Sequence, residues 1–192
     1  SLHRVAILGN EDWVVPASHD ERRFAVFNVG DGKKQDQVFF EEYMDAFENG
    51  GYSALLAHLK DPELLQGVNV KQIPMTEGLL EQKERSLGPL ESWWRDVLAE
   101  GFIRGLSDFD NDVWPKVVAA NSLRNVCTNN TKSRGIIVKW APDERGFIKS
   151  FGTICPVKVV KGDLPGLYFE LPSLIECRNA WDRFIGQKTK WI

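Results

Sequence analysis

Five residues, Gly162-Asp163-Leu164-Pro165-Gly166, constrain this chain more than any other stretch. Two glycines, an aspartate and a proline in so short a span supply the backbone freedom and the fixed φ that a tight reversal needs. They separate two short β-rich runs, residues 157–161 and 167–171, so the pattern predicts an antiparallel hairpin. The elements around it read as helices and short strands. Residues 114–118 and 136–140 read as short strands. Residues 120–132 predict a helix with Leu123, Val126 and Cys127 inward, and residues 143–154 another with Phe147, Ile148 and Phe151 on its apolar face. Pro142 sits where a first helical turn tolerates it, and Pro156 ends that helix. Pro172-Ser173 caps a last helix whose Leu174, Cys177, Trp181 and Phe184 share one side.

Helix, short strand, helix, then hairpin is the layout of a winged helix, a relative of the helix-turn-helix in which a helix enters a groove and the hairpin touches backbone. On that layout Arg145 and Lys149 of the second helix, with Lys158 and Lys161 of the hairpin, are the candidate nucleic-acid contacts, and Lys132 and Arg134 add to the same patch. The alternative is a set of ordinary exposed cations on a domain used for protein contacts, because such a layout serves both uses. Charge divides the same way. Residues 1–101 carry 10 Lys and Arg against 18 Asp and Glu, whereas residues 102–192 carry 14 against 9. That asymmetry suggests two modules, the second of which is able to face nucleic acid.

The acidic part reads as helices. In residues 36–48, Phe39, Phe40, Tyr43, Met44 and Phe47 recur at three- and four-residue spacing and leave Glu41, Glu42, Asp45 and Glu48 opposite, so the aromatic stripe is expected in a core. Asn49-Gly50-Gly51 breaks this helix, a second covers residues 52–59, and Asp61-Pro62 stops it. Thr76 caps a third helix running to about Ser86, and Gly88-Pro89 ends it. A fourth helix, residues 91–100, buries Trp93, Trp94, Val97 and Leu98 and is capped by Gly101. The acidic run 107–112, SDFDND, fails as a calcium loop, because Val113 and Ala119 stand where a glycine and a glutamate are needed.

No apolar run approaches the ~20 residues of a membrane span. The three cysteines, Cys127, Cys155 and Cys177, are widely spaced and odd in number, which fits reduced thiols, and the three histidines share no ligand spacing with them, so no metal site is expected. No G-x-x-x-x-G-K-[ST] and no G-x-S-x-G occurs, so the chain does not read as a complete enzyme.

The beginning is the chemically suggestive part. An apolar run, Val5-Ala6-Ile7-Leu8, ends at Gly9-Asn10; a polar loop with Pro16 leads to Arg22-Arg23 and a second apolar run, Phe24-Ala25-Val26-Phe27. The pattern predicts strand, loop, strand. A carboxamide is able to orient a water, and guanidinium offers planar, permanently charged donors, so the pair suits a phosphate; the plain alternative is a surface loop with two solvated arginines.

This stretch resembles the sensor-to-arginine-finger segment of superfamily-three helicases, as found in the primase-helicases of phages, plasmids and poxviruses. NEDWVVPASHDERRFAVFNVGDGKKQDQVFFEE is similar to the phage group in particular, as are ESWWRDVLAEG and the closing LYFELPSLIECRNAWDRFIG with Trp191. The resemblance implies a ring, usually hexameric, with ATPase sites between subunits. In it Asn10 is the sensor that positions water against the γ-phosphate, and Arg22 or Arg23 is the finger reaching a neighbour's nucleotide. Family members more often have an aromatic residue where Glu21 precedes the doublet. ATP and Mg2+ then belong to the full-length protein and neither to this chain alone, and the implied partners are single-stranded or forked DNA and other copies of the chain. The implied setting is the cytoplasm of a bacterial host, with the gene carried by a phage or prophage. Opening on Ser1, the sequence reads as a piece of a longer protein whose Walker A lysine lies upstream.

The expected fold class is therefore α+β: residues 1–35 as the last strands of an ATPase core, 36–101 as a helical connection, and 102–192 as a winged-helix-like domain. The other expectation is a non-enzymatic winged-helix DNA-binding or adaptor protein.

Overall fold

Side-chain caps and glycine turns set the element boundaries in the computed structural model, which describes residues 5–21, 23–67, 69, 72–106, 113–135, 143–162 and 166–191. Asp36 accepts from the Phe39 N–H at 3.0 Å and starts α1 (Gln37–Ala46). A kinked π-turn, Phe47–Gly51, with Gly50 at φ 107°, leads into α2 (Tyr52–Leu59). Then come α3 (Glu77–Arg85), α4 (Pro89–Glu100), β1 (Val117–Ala119), α5 (Ala120–Ser133), α6 (Glu144–Ile154), β2 (Lys158–Lys161), β3 (Leu167–Glu170) and α7 (Leu174–Ile185). Asp143 caps α6, and Ser173 with Glu176 forms a reciprocal capping box on α7. The molecule is α+β, with a small antiparallel sheet among many helices.

Two units make up the chain, Ser1–Glu21 with Leu80–Ile192, and Arg22–Leu79. This division differs from boundaries near residues 35 and 101, and at the second of them the apolar face of α4 is what joins it to the later residues. Leu90, Trp93, Trp94, Val97 and Leu98 belong to the same core as residues of α5, α6, β3 and α7.

In the first unit the sheet order is β1-β3-β2, both pairings antiparallel. Phe169 lies opposite Val118 on one side and Val159 on the other, and is fully buried. Trp94, 0% exposed, meets the Phe151 ring edge-on at 4.7 Å, and Phe151 stacks on Phe147 at 5.7 Å. Arg178 of α7 donates through Nε and Nη2 to the Leu98 carbonyl at 2.9 and 2.8 Å, satisfying an oxygen that the end of α4 leaves open. Gly101 ends α4 at φ 82°, and a Cβ there would lie 3.3 Å from Leu174. Gly101→Ala should therefore cost about 1–2 kcal/mol, the usual penalty for a side chain in left-handed backbone, read as a lower urea midpoint with unchanged slope.

Two expectations about the first hundred residues change. Residues 5–8 and 24–27 form no strand: among the described residues the ladders join only β1, β2 and β3, and Val5 and Leu8 are 80% and 93% exposed. A strand exists through its ladder, and neither run has one. Instead the Val26 carbonyl accepts from the Thr76 hydroxyl, and a Cβ on Gly78 would sit 2.8 Å from that same oxygen.

The aromatic stripe of α1 is likewise not core. Phe40 and Tyr43 are 50% and 49% exposed, and no residue of α1 or α2 is buried. The rings pack on one another along the chain, Phe39 with Tyr43, Tyr43 with Phe47 at 4.7 Å and Phe47 with Tyr52 at 4.9 Å, rather than under a covering layer. The expected strand at residues 136–140, Pro142, the failed calcium run 107–112 and the turn residues 163–165 lie outside the described residues.

Candidate functional site

The polar loop before the arginine doublet is held by α3. Gln82 Oε1 accepts from the Val14 and Val15 N–H groups at 2.8 and 3.3 Å, while its Nε2 donates to the Asp12 carbonyl at 2.8 Å. One side-chain amide thus replaces the partners a neighbouring strand would supply. Ser86 Oγ accepts from the Ala17 N–H at 3.2 Å and from the Trp13 indole N–H at 3.1 Å. Arg85 reaches Asp12 at 3.5 Å across an exposed surface, a contact worth little by itself.

Further along the loop lies a buried cation. Lys83 is 2% exposed, and its Nζ donates at 2.9 Å to the carbonyl of Ile185, the last residue of α7. Helix C-termini carry open carbonyls and partial negative charge, so an ammonium is well placed there. Burial holds the Lys83 ammonium below its ordinary pKa, and the carboxylates of Glu21 and then Asp20 offset only part of that shift. Glu21, the residue standing where the helicase resemblance favours an aromatic, is itself 5% exposed. Nearby, the His19 ring stacks on Phe184 of α7 at 4.5 Å.

Asn10 is exposed, at a bend in the first unit. Arg23 is exposed and belongs to the second unit, and Arg22 lies outside the described residues. A shallow depression of about 420 Å³ on the second unit is lined by Gln35, Gln37, Phe40, Glu41, Met44 and Asp45, a set with two carboxylates and no cation that is ill suited to phosphate.

The six cations proposed for nucleic acid fall in four settings. Arg145 and Lys149 are exposed and stand four residues apart on α6, hence on one face. Lys132 is exposed in the last turn of α5. Arg134 is tied down: its Nη2 meets Asp96 Oδ2 at 2.8 Å, Asp96 also faces Arg95 at 3.7 Å, and Arg95 bonds Glu84 at 3.2 Å. On the hairpin, Lys158 lies directly across from Glu170 and Lys161 across from Leu167. Three residues apart on a strand, the two lysines point to opposite faces, so the hairpin offers one cation per face.

All three cysteines are buried and free. Burial, with the Glu91 charge adding to it, pushes the Cys127 thiol up to about 12. Cys155 lies 3.7 Å from Cys177, and that contact together with burial raises its pKa strongly. Thiols held protonated in this way are poor nucleophiles and poor metal ligands. Among the described residues no group of three His, Cys, Asp or Glu side chains is placed to hold a metal ion, and no helix is long and apolar enough to cross a membrane.

Sequence reasoning missed Gln82, Lys83 and Ser86. Their signal is positional: counted from Leu79 they occupy i+3, i+4 and i+7, the places that an amphipathic helix fills with apolar residues. Polar groups on a buried stripe have to be satisfied by something, and here it is the polar loop together with the end of α7.

The chain matches no protein-family model, no curated protein and no solved structure.

Proposed function

We propose that this chain is the C-terminal part of a phage-type DNA primase-helicase. In that reading Asn10 serves as sensor and the Arg22-Arg23 doublet supplies the finger for ATP hydrolysis between subunits of a ring. The unit containing α4 to α7 is a winged-helix-like module that contacts DNA. ATP and Mg2+ are held by the full-length protein, whose nucleotide-binding loop this chain does not carry.

The observation that carries the DNA-contacting part is the order α4-β1-α5-α6-β2-β3 with strand order β1-β3-β2, in which α6, the helix before the hairpin, presents Arg145 and Lys149 to solvent. The sensor and finger roles rest on the resemblance of the opening stretch, together with the exposure of Asn10 and Arg23.

Affinity for DNA measured across a salt series tests it. Each phosphate contact contributes a slope of roughly −0.7 to −0.9 in log K against log salt. Arg145→Ala and Lys149→Ala should each weaken binding to every sequence alike and flatten the slope by about one. Arg134→Ala should leave the slope unchanged, because that side chain is committed to Asp96. An unaltered slope in the α6 variants overturns the DNA-contacting role.

A second reading, a non-enzymatic winged-helix DNA-binding or adaptor protein, is favoured as an adaptor by the half-exposed Val117 and Val159 on the sheet and by the Glu170 that faces Lys158. A salt-insensitive or absent DNA interaction supports it.

A further inference from the structure

The segment 12–21 has no regular secondary structure, yet its backbone is held on two sides. Gln82 and Ser86 together satisfy the N–H groups of Val14, Val15 and Ala17 and the carbonyl of Asp12. Val15 and Ala17 are buried, so these bonds are not readily exchanged for water. At the end of the same segment Lys83 connects two things: its Nζ bonds the final carbonyl of α7, and it sits in the field of Glu21 and Asp20. Gly186, which ends α7 at φ 76°, is part of the same packing, since a Cβ there would lie 3.6 Å from Lys83 Nζ and 3.9 Å from the His19 carbonyl. Glu21 is itself buried at the end of this segment, and the next two residues in the chain are Arg22 and Arg23.

We infer that Gln82, Lys83 and Ser86 are positioning residues, which dock residues 12–21 onto α3 and the C-terminal end of α7 and so make the unit proposed to contact DNA the anchor from which the arginine doublet departs. The inference rests on the primase-helicase reading and adds to it a physical route between the two functions. The route runs from the Ile185 carbonyl through its bond to the Lys83 ammonium, on the same helix whose Gln82 holds the backbone of residues 12–15.

The test uses the full-length protein and two readouts, hydrogen exchange at the Val14, Val15 and Ala17 amides and steady-state ATP hydrolysis with DNA. Gln82→Leu and Lys83→Met remove the dock. Ser86→Ala removes one acceptor without disturbing a buried charge and serves if the others fail to fold. Loss of amide protection is expected, with kcat falling roughly 10- to 100-fold, as for a group displaced by about an ångström, and KM for ATP within about twofold of its starting value. Glu21→Gln combined with Lys83→Met should recover part of the lost kcat, because it leaves no unpaired buried charge, which general misfolding would not explain. Arg22→Ala and Arg23→Ala are the reference. If they abolish turnover while Gln82→Leu frees the amides and leaves kcat intact, positioning is overturned and the finger stands. Amides that stay protected in Gln82→Leu and Ser86→Ala overturn the dock itself. If both arginine variants turn over normally, the primase-helicase reading falls and the positioning role falls with it.

Discussion

Trp94→Ala is expected to remove a large share of the stability of the unit that contains α4 to α7. Trp94 is fully buried at the meeting point of α4 and α6, with the Trp93 ring at 5.8 Å, Trp114 at 5.9 Å and Phe151 at 4.7 Å. Truncating a buried Trp costs about 3–5 kcal/mol, from lost transfer energy and from the cavity left behind. Against the 5–15 kcal/mol that holds a typical domain together, that is a large fraction. Chemical denaturation followed by far-ultraviolet circular dichroism reads it directly. Trp94→Phe should cost much less: a ring stays in place, and the indole Nε1 has no hydrogen-bond acceptor among the described residues to lose. Phe40→Ala on α1 is the contrasting case, because its ring is half exposed and the loss should stay near the ~0.5 kcal/mol of an ordinary surface change. A loss at Phe40 equal to that at Trp94 would mean that the aromatic stripe is core after all.

The contrast between those two helices shows where reading the sequence stops. Both α1 and α4 have aromatic and aliphatic residues at helical spacing, and both helices form within a residue or two of their expected ends. Periodicity reports that a helix has an apolar face; whether anything covers that face depends on residues far away in the chain. For α4 the cover comes from α5, α6 and α7, and for α1 the described residues of its own unit leave the stripe open. The hairpin and the capped helices were legible because Gly, Pro, Ser and Asp act locally. The opening strands were not, since an apolar run of four residues becomes a strand only beside a partner.

The candidate site divides in the same way. Exposure of Arg145 and Lys149 followed from the helical face opposite Phe147 and Phe151. The capture of Arg134 by Asp96 joins residues 38 positions apart and has no local mark in the sequence. Glu21 looked like a departure from the helicase pattern, yet among the described residues it is a buried carboxylate, and its charge favours the ammonium form of the buried Lys83.

The largest functional effect is expected at the doublet that Glu21 precedes. If the chain belongs to a full-length primase-helicase, as proposed, the finger variant among Arg22→Ala and Arg23→Ala should cut DNA-stimulated ATP hydrolysis by ~10³-fold or more while ATP binding stays nearly intact. The argument is one of timing. A guanidinium reaching across from a neighbouring subunit has its strongest interaction when charge spreads over the transferring phosphoryl group, so its loss raises the barrier and scarcely changes the bound ground state. Comparing the two single variants assigns the finger, and the other arginine should show the smaller loss. Weakened ATP binding in place of slowed turnover would give the doublet a structural role. On the proposed reading the isolated chain should hydrolyse no ATP, because a finger and a sensor without a phosphate cradle would have no substrate to act on; turnover by the pure chain that Asn10→Ala abolishes would overturn the proposal.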